Sequence, residues 1–265
     1  MKKDEFKIIT LINIADSSKH LMENTIGLAK MFDATVELFY VMKPLDVVGA
    51  ESQLSAMRNI NEKYIKAENK LKKLAKSLSK EHGISVSYSY VIGHIKNEIL
   101  SKLNKTNADL VIMGKRKSKR LKLVSNNISE FIIKQYNGSV IIASDGNSIN
   151  PEADLKLGMF NSTVDYSTLK CMDKFIYHST KPIVTFNVSS KQGKPKANDT
   201  TAPANKVVEY TFEKNDNTMS NIRSYINKSA VNVLCLKRDE DKKFALSLNK
   251  MLDKVDVSLM ISDTV

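Results

Sequence analysis

The overall architecture can be inferred from residues 108–115, which read Ala-Asp-Leu-Val-Ile-Met-Gly-Lys. The four apolar residues from Leu110 to Met113 predict a strand that is buried on both faces, as strands of parallel sheets are. Gly114 follows at the carboxyl end of this strand, where an open α/β sheet places its ligand crevice. A phosphate-binding loop is expected next, but residues 115–122 contain six Lys or Arg and no glycine. The stretch therefore indicates the scaffold of a nucleotide-binding domain with an altered loop.

The first half of the chain alternates between predicted strands and helices around this stretch. Strands are predicted at 6–14, 35–42, 84–92, 109–113 and 139–143, and helices at about 16–32, 50–82, 95–105 and 126–136. Apolar residues in 50–82 recur at alternating three- and four-residue steps, and Gly83 is expected to end that helix. Alternating strands and helices predict a parallel sheet with right-handed crossovers.

The same pattern restarts after a linker at 144–153. Strands are predicted at 154–160, 183–189, 207–213, 232–237 and 257–262, helices at 163–179, 218–229 and 240–253, and a polar loop at 190–206. Residues 107–113 align with 230–236, and residues 139–144 align with 257–262. We interpret this as a divergent internal repeat in which the polar loop replaces the long helix. The predicted domains are residues 1–145 and residues 152–265.

The composition limits the classes of function. The chain has 265 residues and a formal net charge of +12, and it contains no run approaching the roughly 18 apolar residues of a membrane span. The beginning of the chain is a poor signal peptide. Cys171 and Cys235 lack metal or redox spacing and lie in apolar stretches, which predicts reduced core thiols in a cytoplasmic protein. The basic residues at 115–122 could attract phosphate or nucleic acid, but no aromatic residue interrupts them, so a solvated loop is favoured.

Four short motifs resemble those of the universal stress protein family. They are Asp16-Ser17-Ser18-Lys19, Leu28-Ala29-Lys30, Val91-Ile92-Gly93-His94 and residues 108–114. The second half resembles the family only through its topology and the repeat. The resemblance implies an α/β fold with two open five-stranded parallel sheets, of the adenine nucleotide alpha hydrolase-like type, arranged as a pseudo-dimer. It also implies that strands 139–143 and 257–262 pair across a pseudo-twofold axis, since exposed edge strands are usually covered.

The nucleotide loop departs from the family pattern. ATP-binding members carry Gly-x-x-Gly, then nine residues, then Gly-Ser or Gly-Thr, and these glycines let backbone amides approach phosphates. Gly114 matches the first glycine, and Lys117 stands at the second. The final pair falls on Asn127-Ile128 by spacing, or on Asn126-Asn127 when aligned back from the fifth strand. An aspartate usual after the first strand is Asn13 here.

The resemblance therefore gives a candidate nucleotide-binding set. Its members are Asn13, Val41, Gly114, Lys115, Lys117, Asn126 and Asn127. If a ligand binds, Asn13 can hydrogen-bond an adenine or ribose, the lysines can attract phosphate, and the two later asparagines can adopt glycine-like left-handed conformations. The alternatives are structural: a turn at Gly114, a helix cap at residues 126–127 and a polar strand end at Asn13.

No nucleophile–base pair and no metal-ligand set is recognisable in the sequence. The leading hypothesis is a non-catalytic cytoplasmic stress-response protein that acts through protein association, with nucleotide binding weakened or lost and no cofactor. The alternative is a switch whose first half binds ATP weakly. The second half is expected to bind no nucleotide, because its loop begins Lys237-Arg238-Asp239-Glu240-Asp241. The protein partner is not identified, a homodimer is left open, and neither a membrane nor nucleic acid is expected.

Overall fold

Ten strands and six helices make up the part of the chain that the computed structural model describes. That part comprises residues 5–14, 19–43, 53–115, 128–146, 148–150, 152, 155–161, 171–179, 182–189, 207–238, 251 and 254–263. The strands are β1 (Phe6–Ile12), β2 (Ala34–Met42), β3 (Val86–Ile92), β4 (Leu110–Gly114), β5 (Ser139–Ala143), β6 (Leu157–Phe160), β7 (Ile183–Ser189), β8 (Val207–Glu213), β9 (Val233–Lys237) and β10 (Ser258–Ser262). The helices are α1 (Lys19–Phe32), α2 (Gln53–His82), α3 (Ile95–Lys105), α4 (Ile128–Gln135), α5 (Met172–Tyr177) and α6 (Thr218–Lys228).

The ten strands form one continuous sheet in the order β3-β2-β1-β4-β5-β10-β9-β6-β7-β8. Each half has the same internal order, and its strands are parallel. The halves join where β5 pairs antiparallel with β10 through Leu259–Ile142, Met260–Ile141 and Ile261–Val140. The predicted pairing of the two last strands is therefore confirmed. The two five-stranded sheets are not separate, because this seam merges them into one.

Most of the predicted elements are present with small changes at their ends. The long helix does end at His82, and Gly83 follows it with φ +68°, a left-handed conformation that glycine adopts without steric cost. Several predicted segments are longer than the observed elements: strand 6–14 ends at Ile12, strand 84–92 begins at Val86, and strand 154–160 begins at Leu157. The polar loop at 190–206 and nearly all of the predicted helix at 240–253 lie outside the described residues, so the replacement of the long helix in the second half stays a prediction.

The repeat is real in geometry, but the sequence alignment of its last strand was wrong by one residue. Leu110 pairs with Ser139 in the first half, and Val233 pairs with Ser258 in the second. Since Leu110 and Val233 are equivalent, Ser139 corresponds to Ser258 and not to Val257. Both strands are buried on both faces. A continuous apolar run has no alternation that could fix its register from sequence.

Equivalent polar residues fix the start of the first strand in each half. The backbone N–H of Lys7 donates to Asp109 Oδ2 at 2.8 Å, and the backbone N–H of Lys156 donates to Asn232 Oδ1 at 2.9 Å. Asp109 and Asn232 occupy the same position before β4 and β9. The acidic residue that precedes the buried strand is thus a structural acceptor that both halves keep as a carboxylate or a carboxamide.

The core has two layers, one on each face of the sheet, and both layers span the two halves. One apolar cluster contains residues of α1, α2 and α5, and the other contains residues of α3, α4 and α6. In the first layer, Phe32 of α1 meets Phe175 of α5 edge to face, with ring centroids 4.9 Å apart. Such contacts add to the stabilisation from apolar burial, so the halves share one core.

The linker between the halves is packed against α1. Ile149 is buried, and its backbone N–H donates to Oδ1 of the fully buried Asn24 at 3.2 Å. Gly27 of α1 has no room for a side chain, because a Cβ atom there would lie 2.0 Å from the carbonyl oxygen of Ile149. The glycine is therefore required by the close approach of the linker backbone.

The seam between β5 and β10 is not fully symmetric. Ser139 Oγ and Ser262 Oγ are 2.9 Å apart and both are buried. The symmetry-equivalent positions are Ser258 and Ala143, and Ala143 has no hydroxyl. Ser258 Oγ instead accepts the backbone N–H of Ser144 at 3.2 Å. The two ends of the seam thus use different hydrogen bonds.

Candidate functional site

The candidate site lies at the carboxyl ends of β1, β2 and β4. The chain runs outward from β1 to β2 and β3, then returns to the other side of β1 with β4, so β1 and β4 flank the point where the strand order reverses. Open α/β sheets bind ligands at such a point. Leu11 pairs with Met113 and Ile12 pairs with Tyr40, which places Asn13, Gly114 and Val41 next along their strands.

The structure therefore brings four of the predicted site residues to one edge of the sheet. These are Asn13, Val41, Gly114 and Lys115. Lys117, Asn126 and Asn127 lie outside the described residues, and their proposed roles stay predictions. Asn13 is exposed, whereas Val41 is buried in the same apolar cluster as Met113. The side chain of Val41 belongs to the core under this edge, and Asn13 supplies a polar group at its surface.

Lys115 is directed toward the second half of the chain. Its backbone N–H donates to the carbonyl of Ala143 at 3.1 Å, which extends the ladder between β4 and β5. Its Nζ donates to the carbonyl of Val255, just before β10, at 3.0 Å. The ammonium group that the sequence suggested for phosphate binding is thus engaged in a contact between the halves.

Arg238 is the equivalent of Lys115 after β9, and it makes the reciprocal contact. Its backbone N–H donates to Ser262 at 2.9 Å. Its guanidinium donates to carbonyls at the end of α4 and in the turn that follows, through Nη1 to Ile133 at 2.7 Å and to Tyr136, and through Nη2 to Gly138 at 2.6 Å. A cation is favourable there because carbonyl groups at a helix carboxyl end carry partial negative charge.

Arg238 also pairs with an acidic side chain. Its Nε is 2.9 Å from Oδ1 of Asp263, an ion-pair distance, although this N–H is not aligned for a hydrogen bond. Burial lowers the pKa of the Arg238 guanidinium, and the charge of Asp263 opposes that shift. Because arginine ionises far above neutral pH, the group stays charged. Sequence reasoning missed this residue, and the signal that could have found it is a basic residue directly after the buried fourth strand of both repeats.

In the second half, an asparagine side chain is hydrogen-bonded to the backbone at the edge that corresponds to the candidate site. Asn161 follows β6 with φ 46°, and its Oδ1 accepts the backbone N–H of Val188 at 2.7 Å. Val188 is the equivalent of Val41. At the equivalent position of the first half, β1 and β2 still pair with each other. In the second half, the Asn161 carboxamide accepts a backbone N–H there instead. Asp239, Glu240 and Asp241 lie outside the described residues.

The two cysteines are placed differently. Cys235 is buried within β9, and burial raises the pKa of its thiol to about 12. Cys171 was predicted to be a core thiol within the helix at 163–179, which is wrong: it precedes α5 with φ 64° and is only partly buried. Its Sγ–H donates to the carbonyl of Asp109 at 3.2 Å. Partial burial raises the pKa of this thiol to about 11, so both thiols are protonated at neutral pH.

Other features of the described residues do not add a second centre of chemistry. A cleft of about 750 Å³ opens at the amino ends of β4 and β5, on the edge opposite the candidate site, and carboxamide side chains such as Asn104, Asn107 and Asn137 line it. Within the described ranges, no three His, Cys, Asp or Glu are grouped so that they could hold a metal ion. In the same ranges, none of the helices combines the length and apolarity needed to cross a membrane.

Comparisons with known proteins agree with this geometry. A universal stress protein of Methanocaldococcus jannaschii is 26% identical over 137 residues, which is 51% of this chain and 80% of the relative. A universal stress protein from Archaeoglobus fulgidus has a similar structure, with a TM-score of 0.74 at 12% identity over 98% of this chain and 99% of that one. A putative universal stress protein from Pseudomonas aeruginosa gives a TM-score of 0.58 at 13% identity, covering 98% of this chain and 94% of its own.

At these identities the likeness to solved structures shows the fold, and it extends over both halves of the chain. The family assignment rests on the sequence. The family model for the universal stress protein family matches residues 7–144, which is about half of the chain and contains β1 to β5 with the candidate site. The chain belongs to the universal stress protein family.

Proposed function

We propose that this stress-response protein is non-catalytic, acts through association with other proteins, and binds nucleotide weakly or not at all. The observation that carries the proposal is the reciprocal use of Lys115 and Arg238. The residue directly after the fourth strand of each half, where a nucleotide loop begins in ATP-binding relatives, is engaged with carbonyl groups of the opposite half. These contacts support a role for both loop starts in holding the halves together.

The backbone chemistry supports the same conclusion. A triphosphate needs several free amides at close range, and glycines make that approach easy. The amide of Lys115 is already bonded to Ala143, and residues 115–122 contain no glycine. Surface lysines add attraction for phosphate, but exposed ion pairs in water contribute only about 0–1 kcal/mol each. We infer that charge does not replace the close backbone approach that glycines allow.

Calorimetric titration of the intact chain with ATP and magnesium tests this proposal. We expect a Kd no tighter than roughly 100 μM, or no measurable heat. Low-micromolar binding that Gly114→Val abolishes would contradict it. Gly83→Asn is the matched control, because it replaces a glycine with positive φ and open space around it, and Asn tolerates that conformation.

The alternative is a nucleotide-binding switch that uses the first half. The observation in its favour is the convergence of Asn13, Val41 and Gly114 at the reversal of strand order. Mass spectrometry of small molecules released from the purified protein separates the two functions. A stoichiometric nucleotide would favour the switch, and its absence together with weak ATP binding would favour association.

We further propose that the protein acts in the cytoplasm and that its partners are proteins, with neither a membrane nor nucleic acid among them. Cys171 and Cys235 are both free thiols, which suits a reducing compartment. Nucleic-acid binding would show a steep loss of affinity with salt, and we expect no such binding.

A further inference from the structure

The outer strands of the sheet are β3 and β8, because β5 and β10 pair with each other at the seam. The long helix α2 packs along β3. The shorter helix α6 packs against β8, yet apolar side chains near this outer strand stay exposed. Val207 is 42% exposed, Val208 is 38% exposed, and the nearby Tyr225 of α6 is 36% exposed. These are three of the five large apolar side chains with high exposure in the described residues. Exposed apolar groups along a sheet edge favour pairing with another strand.

We propose that β8 is a homodimer interface, at which a second copy of this chain pairs antiparallel with β8 across a twofold axis and continues the sheet. The chain already uses this mode of association internally, since β5 and β10 pair antiparallel between two equivalent halves. A twofold axis requires a strand that is complementary to itself, and the sequence of β8, Val-Val-Glu-Tyr-Thr-Phe-Glu, meets that requirement.

The backbone of β8 directs half of its hydrogen-bonding groups outward. Lys214, directly after β8, donates its N–H to Ser189 of β7 at 3.1 Å. Successive residues of a strand alternate in direction, so the even-numbered residues face β7 and the odd-numbered residues face away from it. The outward set is Val207, Glu209, Thr211 and Glu213. Antiparallel pairing of this set with a second copy would form about eight backbone hydrogen bonds, two for each hydrogen-bonded residue pair.

Side chains select one register for this pairing. Tyr210 and Phe212 pack against Tyr225, with ring centroids 4.8 and 5.4 Å apart, so the apolar face of β8 must stay on the same side in both copies. A register centred on Tyr210 pairs all seven residues. It sets Val208 opposite Phe212, and it sets each Glu opposite Thr211 or Val207. Moving the centre to residue 209 or 211 sets Glu opposite Glu, which is unfavourable.

A pair of opposite charges at Thr211 tests the interface. Thr211 is exposed, so Thr211→Glu and Thr211→Lys are expected to leave the fold intact, as circular dichroism can verify. In the proposed register residue 211 faces Glu209 of the second copy. The Glu variant should therefore weaken dimerisation by roughly tenfold or more, and the Lys variant should strengthen it. The control is Ile65→Glu, which adds the same charge on exposed α2 in the other half and should change nothing.

Sedimentation equilibrium of the full chain over a range of concentrations measures the effect, and hydrogen exchange locates it. We expect a dimer in the parent chain and amides of Glu209, Thr211 and Glu213 that exchange faster on dilution. A chain that is monomeric at all concentrations would overturn the proposal, and so would equal dimer affinities in the two Thr211 variants. Slow exchange of these amides that does not depend on concentration would mean that another segment of the same chain covers β8, and it would also overturn the proposal.

Discussion

Lys115 and Arg238 occupy equivalent positions in the two halves, yet the two side chains are used differently. Lys115 is half-buried and donates to the carbonyl of Val255. Arg238 has a side chain that is only 10% exposed, and its planar guanidinium reaches three carbonyl groups and an acidic partner. A guanidinium can serve several fixed acceptors at once, whereas an ammonium is a compact point charge. The contacts of Arg238 with the opposite half are therefore more numerous than those of Lys115.

The largest expected effect comes from removing the buried cation. Arg238→Met leaves three carbonyls and the Asp263 carboxylate without their partner, and breaking one side of a buried ion pair is costly. We expect the free energy of unfolding in urea to fall by about 3 kcal/mol. Arg223→Met is the control, because the exposed pair of Arg223 with Asp256 should contribute only about 0.5 kcal/mol. Equal effects of the two substitutions would remove the basis for the comparison.

A second difference between the halves lies within the fourth strands, where Cys235 in β9 stands at the position of Ile112 in β4. The pKa of Cys235 is raised by burial to about 12 from an ordinary value of 9.0. Between these two pH values, the thiol is protonated in the folded chain and ionised in the unfolded chain. Its contribution to stability is therefore complete below pH 9 and is lost as the pH rises toward 12.

Urea unfolding at pH 8 and pH 10 measures this loss. As the pH rises from 8 to 10, ionisation of the Cys235 thiol in the unfolded chain should lower the free energy of unfolding by about 1.4 kcal/mol. Other groups titrate in the same range, so the comparison is with Cys235→Val, which should lose correspondingly less stability over the same interval. An identical loss in both proteins would show that the thiol is not protected in the folded state.

The smallest expected effect is at Lys115. Lys115→Met removes the hydrogen bond to Val255 and should lower the free energy of unfolding by about 1 kcal/mol. Because the ammonium group already has this partner, ATP affinity should change by no more than about twofold, a difference well below 1.4 kcal/mol. Parallel unfolding and calorimetry test both expectations. Unchanged stability with a large loss of ATP binding would identify Lys115 as a phosphate ligand instead.

The fold could be predicted because its signals are local and repeated. Buried apolar runs predict the strands, apolar residues at three- and four-residue steps predict the long helix, and Gly83 predicts its end. The alternation of strands with helices predicts a parallel sheet. The register of β10 could not be predicted, since every residue of that strand is buried. The position of Cys171 was also missed, because the predicted helix at 163–179 included it, whereas Cys171 adopts a left-handed conformation directly before α5, which begins at Met172.

The candidate site could be predicted only in part, for a different reason. Asn13, Val41 and Gly114 each follow from strand ends, which the sequence marks well. The side chains of Lys115 and Arg238 are oriented by hydrogen bonds to carbonyl groups that lie 140 and about 100 residues away in the chain. Such partners become neighbours only after the halves have docked, and no local pattern encodes them. Reading the two repeats against each other is the kind of sequence comparison that could have identified this pair of cations.

The unequal ends of the seam have an evolutionary consequence. In a homodimer every substitution at a twofold interface appears twice, so a change that helps one end must be tolerated at the other. Within a single chain each position mutates alone, and Ser262 can gain a hydroxyl contact with Ser139 while its counterpart, Ala143, stays small. Joining the halves covalently thus releases them from symmetry, and each can specialise while the other preserves the fold.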